Sequence, residues 1–80
     1  MITVDVTYYA MLREQRGSSD EQVRTRASHT GALYEELAGR HGFRLPKEKL
    51  KVARNDEFVD WATPLHDGDR IAFIPPVAGG

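Results

Sequence analysis

The sequence predicts an α+β roll: a mixed sheet carrying one main helix on one face. Three observations point to it. Residues Ile2 to Tyr8 alternate in polarity with the period of a strand, Leu33 to His41 repeat with the period of a helix, and a short apolar run, Arg70 to Ile74, returns near the end of the chain. A sheet with one apolar face and a helix with one apolar stripe bury each other in two layers.

In the first segment Ile2, Val4, Val6 and Tyr8 point one way, and Thr3, Asp5, Thr7 and Tyr9 the other. Ala10 to Gln15 reads as a short helical or turn-like piece, and Gly17-Ser18-Ser19-Asp20 as a loop. Glu21 to Ala27 alternates again, with Val23, Thr25 and Ala27 inward; so close in sequence, it is expected antiparallel to the first strand. Thr30 is the expected N-cap of the helix. Leu33, Tyr34, Leu37, Ala38 and His41 form its buried stripe, and Gly42 closes it after Arg40 and His41, whose charges suit the C-terminal end of the dipole. Gly31 and Gly39 weaken it, so packing on the sheet must hold it.

Phe43 to Lys49 is read as a loop anchored by Phe43 and Leu45. Leu50–Ala53 and Phe58–Val59 flank an Asn55-Asp56 turn and make a hairpin, with Trp61 and Leu65 packing nearby around Pro64. His66-Asp67-Gly68-Asp69 is a tight turn into the last strand, where Ile71 and Phe73 face the core and Ala72 and Ile74 face out. That strand is placed beside the first, so the folded unit is residues 1–74 and the segment 75–80 is a flexible tail.

The 80 residues make one domain. A net charge of −1 gives no general attraction to nucleic acid or to anionic membrane. No run is long enough to span a bilayer and none has the pattern of a signal peptide; with no cysteine, the expectation is a cytoplasmic protein. The missing cysteines also remove disulfides, thiolate metal sites and thiol nucleophiles. His29, His41 and His66 lack ligand spacing, so no metal is expected; Asp67 and Asp69 flank a turn glycine. Ser18 and Ser19 lie in no nucleophile motif, and no glycine-rich phosphate loop is present. The sequence supports no self-contained catalytic centre and no bound cofactor.

The terminus remains. Pro75 and Pro76 lack a ladder N–H and hold the backbone extended, so they end the strand and carry the chain away from the sheet. Val77, Ala78, Gly79 and Gly80 follow. Fully extended, residues 75–80 reach roughly 20 Å. A Gly-Gly end is a thin acyl group that passes down a narrow tunnel, and its carboxylate has no adjacent Cβ to hinder attack. A carboxylate is unreactive until it is activated, and this chain has no ATP-binding loop, so a partner must activate it.

These residues carry a resemblance. Val6-Thr7-Tyr8-Tyr9-Ala10-Met11-Leu12-Arg13-Glu14, the Thr30–Gly42 helix, and the stretch Leu65-His66-Asp67-Gly68-Asp69-Arg70 through Ala72-Phe73-Ile74-Pro75-Pro76-Val77-Ala78-Gly79-Gly80 resemble the ubiquitin-like sulfur carriers, and within them the small subunits of molybdopterin synthase. The resemblance runs over nearly the whole chain and implies the ubiquitin-like β-grasp fold. It implies that the Gly80 carboxylate is adenylated by an E1-like ATP-dependent adenylyltransferase. A sulfur donor such as a desulfurase or rhodanese then converts it to a thiocarboxylate. ATP is thus used by the partner. Pro75, Pro76, Val77, Ala78 and Gly79 would enter the large synthase subunit, where the sulfur passes to cyclic pyranopterin monophosphate in molybdenum cofactor biosynthesis. It further implies a docking surface on the outer face near the tail, with Tyr9, Arg13, Ala72 and Ile74 as partner-binding residues; alternation independently places Tyr9 and Ile74 outside. Two alternatives share the same tail: a sulfur carrier for thiazole, cysteine or tRNA thiolation, and a ubiquitin-like module that binds or conjugates to proteins.

Overall fold

The computed structural model describes residues 1–76. Strand β1 covers Ile2–Tyr8, with Val4, Val6 and Tyr8 buried as the alternation requires. A short helix α1, Ala10–Arg16, buries Leu12 and ends at the left-handed Gly17. Strand β2 covers Asp20–Thr25 and pairs antiparallel with β1. It stops before Ala27, the expected end, because the Thr25 hydroxyl oxygen accepts from the Ala27 N–H at 2.9 Å and turns the chain out of the ladder.

Helix α2 spans Thr30–His41 and buries Leu33, Tyr34 and Leu37. Gly42 ends it at φ 73°, its N–H bonded to the Ala38 carbonyl, as expected. Its N-cap is His29, not Thr30: His29 Nδ1 accepts from the Ala32 N–H at 3.2 Å. Thr30 is drawn inward and fully buried, its hydroxyl donating to the Asp60 carbonyl at 2.7 Å and its N–H to the Thr63 carbonyl at 3.0 Å. The tertiary bonds claim the residue whose type favours a cap, and its neighbour caps instead.

The loop after α2 contains a 3₁₀ turn at Lys47–Lys49. Strands β3, Lys51–Arg54, and β4, Glu57–Val59, form the hairpin, with Asn55 and Asp56 both at positive φ in the turn. Asn and Asp tolerate that region better than other side chains. Strand β5, Arg70–Ile74, buries Ile71 and Phe73 as the alternation predicts. The sheet order is β2-β1-β5-β3-β4, with β5 parallel to β1 and antiparallel to β3. Among the described residues no helix is long and apolar enough to cross a membrane.

An aromatic group fills the space between α2 and the sheet. Phe73 packs edge-on to Tyr34 at 5.2 Å and stacks with Trp61 at 6.1 Å, while Tyr8 meets Phe43 at 5.3 Å. Trp61 thus closes the core from the segment after β4. Its carbonyl accepts the Gly31 N–H at 2.9 Å, and a Cβ on Gly31 would lie only 2.9 Å from that oxygen. Gly31 is therefore a packing requirement, whereas a Cβ on Gly39 would meet nothing within 4 Å.

Two consequences are measurable by denaturant unfolding. Gly39→Ala is expected to stabilise the domain by up to about 1 kcal/mol through helix propensity, while Gly31→Ala destabilises it by roughly 1–3 kcal/mol through overpacking. Equal effects of the two would contradict the close approach at Trp61. Phe73→Ala is expected to cost roughly 3–5 kcal/mol, because it empties the centre of the aromatic group.

Candidate docking surface at the tail root

The parallel pairing of β1 with β5 sets Tyr8 opposite Phe73, so the two strands end side by side. The residues just beyond them, Tyr9 and Ile74, face the same side. With α1, which packs against both strands, they wall an open apolar cleft of about 880 Å³. Tyr9, Ala10, Met11, Arg13 and Glu14 line one side, Ile74, Pro75 and Pro76 another, and Leu45 from the loop after α2 completes it. Tyr9 is 47% and Met11 43% exposed, unusual for side chains of that size.

Of the residues read from sequence as partner-binding or tail, Tyr9, Arg13, Ile74, Pro75 and Pro76 meet in this cleft. Ala72 does not line it. It is half-buried on the outer sheet face, between Thr7 of β1 and Ala53 of β3. Val77, Ala78, Gly79 and Gly80 lie outside the described residues. Sequence reasoning missed Ala10, Met11, Glu14 and Leu45 as cleft residues. It also missed Phe58, which pairs with Ala53 on the outer face and is 69% exposed. Alternation held a signal for Phe58: with Val59 facing the core, its neighbour in an extended strand faces out.

The chain enters α1 through strain. Tyr9 is extended, and Ala10 then takes φ 51°, the left-handed region. That region costs an L-residue with a Cβ roughly 1–2 kcal/mol. The helix so begun is held to the body at several points. Leu12 is fully buried, and Gln15 Oε1 accepts from the Arg44 N–H at 3.3 Å, tying α1 to the loop that carries Leu45. The Tyr34 hydroxyl donates to the Leu45 carbonyl at 2.5 Å and fixes that loop from the core side.

At the far end of α1, one carboxylate gathers four elements. Glu21 Oε2 of β2 accepts from the Tyr8 hydroxyl of β1 at 2.6 Å and from His41 Nε2 of α2 at 2.9 Å. Arg16 of α1 donates from Nη2 to Glu21 Oε1 at 3.5 Å, while its buried Nε, 3.4 Å from Oε2, makes no hydrogen bond. Burial works to raise the Glu21 pKa, but the bonds from Tyr8, His41 and Arg16 outweigh it and hold the carboxyl below its ordinary value. Burial first, and then the bond to Glu21, push the Tyr8 phenol well above its ordinary range.

The root of β5 is pinned by a second carboxylate. Asp69 Oδ2 accepts from the His66 N–H at 2.8 Å and Oδ1 from Asn55 Nδ2 at 3.1 Å. Asn55 Oδ1 in turn accepts from the Arg70 N–H at 2.9 Å. Asp67 Oδ1 accepts from the Thr3 N–H at 2.8 Å, and Gly68, at φ 87°, donates to the Thr3 carbonyl at 2.8 Å. The two aspartates are thus structural members of a turn stitched to β1 and to the β3–β4 turn. Burial raises the Asp69 pKa, and the bonds from His66 and Asn55 overcome it and leave the carboxyl below its ordinary value. Among the described residues no group of three or more His, Asp or Glu is placed to hold a metal ion.

A five-stranded mixed sheet with α2 on one face, and an apolar cleft where the last strand leaves it, define a ubiquitin-like β-grasp protein. Comparison with known proteins gives the same class. The Haloferax volcanii SAMP1 crystal structure superposes with a TM-score of 0.79 at 26% identity, covering 98% of this chain and 99% of that one. The chain belongs to the ThiS family, whose profile matches residues 6–80. It is 35% identical to the molybdopterin synthase sulfur carrier subunit of Escherichia coli (strain K12) over 80 residues, covering 96% of this chain and 99% of that protein. A complex of subunits 1 and 2 of molybdopterin-converting factor from Helicobacter pylori contains a chain that superposes with a TM-score of 0.69 at 28% identity, covering 99% of this chain and all of that one.

The Glu21 cluster predicts an acid limb to stability. A folded-state pKa below the unfolded value contributes stability that is present above the unfolded pKa and is lost as pH falls through the folded one. Glu21→Gln is expected to cost roughly 1–2 kcal/mol near neutral pH, and the gap to the parent should narrow below about pH 4. Unfolding followed at both pH values checks this; a gap that is constant with pH would remove Glu21 as the source.

Proposed function

We propose that the chain is the sulfur-carrying subunit of a molybdopterin synthase, with the Gly80 carboxyl as its reactive group. The observation that carries the reading is the path of Ile74-Pro75-Pro76. These residues leave the sheet along the wall of an apolar cleft, and Gly79-Gly80 follow in sequence. In this reading the Gly80 carboxylate attacks the α-phosphate of ATP on an E1-like enzyme, releasing pyrophosphate and forming an acyl adenylate. The outer sulfur of a persulfide on a desulfurase or rhodanese-type donor attacks the acyl carbon and displaces AMP; a partner thiol then cleaves the resulting acyl disulfide, forming a disulfide with the donor sulfur and leaving a thiocarboxylate. The cleft and the outer sheet face then seat the large subunit, while residues 75–80 reach its active site and deliver sulfur to cyclic pyranopterin monophosphate. The division of labour suits the chain: with no cysteine, the sulfur rides on the terminus. ATP belongs to the activating partner, and the steps take place in the cytoplasm.

Intact mass after incubation with the activating enzyme, ATP and a sulfur donor is expected to show one oxygen replaced by sulfur. Removing Gly80, or adding one residue after it, should abolish that product and cofactor synthesis while leaving the unfolding midpoint unchanged. A variant lacking Gly80 that still supports cofactor synthesis would falsify the reading.

A second reading has its own support. The similarity to SAMP1 at a TM-score of 0.79 fits a ubiquitin-like module that works on proteins, or a carrier serving another thiolation pathway. Co-purification of the large synthase subunit favours the first reading; an isopeptide bond from Gly80 to a lysine favours the second.

A further inference from the structure

We infer that Ala10 is a positioning residue of the docking cleft, held in a strained conformation because its methyl group and its stiffness are both used there. The inference rests on the docking reading proposed above.

Among the described residues, the other positive-φ positions are Gly17, Gly42, Gly68, Asn55 and Asp56. Those are the residue types that adopt the region at least cost. Ala10, at φ 51°, has neither glycine's freedom nor a polar side chain to hydrogen-bond locally. At Gly17, Gly42 and Gly68 an added Cβ would meet nothing within 4 Å, so glycine forfeits no contact there. Ala10 differs: it lines the cleft.

The conformation has a geometric result. Tyr9, Ala10 and Met11 are consecutive, all exposed, and all on one cleft, and the next residue, Leu12, is fully buried. A continuing strand would send alternate residues to opposite faces, and a regular helix would spread three successive residues over more than half a turn. The left-handed residue breaks both patterns. It redirects the chain between β1 and α1 so that Tyr9 and Met11 both line the cleft while Leu12 enters the core. Glycine would satisfy the backbone more cheaply but would leave this hinge loose and remove a methyl from the wall. The strain sits beside the tail root and is sustained by the anchors of α1 at Leu12, Gln15 and Arg16.

The test compares stability with affinity for the large synthase subunit, using the full chain. In Ala10→Gly the relief of the steric cost offsets the added freedom of the unfolded chain, so the unfolding midpoint should be unchanged or higher. The dissociation constant should rise about two- to fivefold, because the hinge must be ordered on binding and a contact is gone. In the parent, a strong intraresidue amide–Hα NOE at residue 10 reports the left-handed backbone. Unchanged affinity in Ala10→Gly overturns the inference, as does a loss of affinity that merely follows a lowered midpoint. Tyr9→Ala and Ile74→Ala separate the two levels. If neither weakens binding, the docking reading itself fails; if both do and Ala10→Gly does not, only the role of Ala10 fails.

Discussion

The parallel ladder between β1 and β5 is the constraint on which the rest depends. It joins the two ends of the folded unit, pairing Asp5 with Arg70 at one end and Tyr8 with Phe73 at the other. A parallel pair needs a long crossover, and here the crossover is nearly the whole chain, from α1 through β4. The main part of it, α2, packs on one face and supplies Leu33, Tyr34 and Leu37 to the core. Because the two strands run the same way, both finish at one end of the sheet. That places Tyr9 and α1 beside Ile74 and the two prolines. An antiparallel pairing would have sent the tail to the opposite end of the sheet, away from the cleft.

Polar groups lock this arrangement at both ends. At the start of β1, the turn of Asp67, Gly68 and Asp69 bonds to Thr3 and Asp5 and to the β3–β4 turn, which sets the register of β5. At its finish, Glu21 collects Tyr8, Arg16 and His41 and ties β1, α1 and α2 together behind the cleft. Each carboxylate is largely buried, and each is offset by several donors, as burial of a charge demands. The apolar interior needs no such register marks. It needs volume, which the aromatic group of Tyr8, Tyr34, Phe43, Trp61 and Phe73 supplies.

At the end of the ladder Tyr8 is buried and bonded to Glu21, while the next residue, Tyr9, lines the cleft. Its floor and walls come from elements that the core fixes from behind, so its shape is set before any partner arrives. The exposed Tyr9 and Met11, together with Phe58 across the outer face, leave apolar surface uncovered that a small domain would otherwise bury. Preformed apolar surface of this kind lowers the ordering cost of association. In the reading proposed above, the cleft selects the partner and the Gly80 carboxyl carries the chemistry.

Local signals in the sequence determined the strands, the main helix, its glycine stop, both tight turns and the inward pairing of Ile71 with Phe73. Each of these depends on residues within a few positions of one another, through a period of two or 3.6 and through turn residues that tolerate positive φ. The end of β5 before Pro75 was equally legible, since the missing proline N–H is a covalent property. Tertiary structure alone decided the rest. His29 caps α2 because Asp60 and Thr63 claim Thr30, and Gly31 is needed because Trp61 comes close from thirty residues away in sequence. Glu21 looked like an ordinary strand residue until the fold gathered three partners around it. Leu45 joined the cleft only because Tyr34 and Gln15 hold its loop there. These contacts link residues far apart along the chain, and their strength lies in burial and geometry that no local pattern encodes.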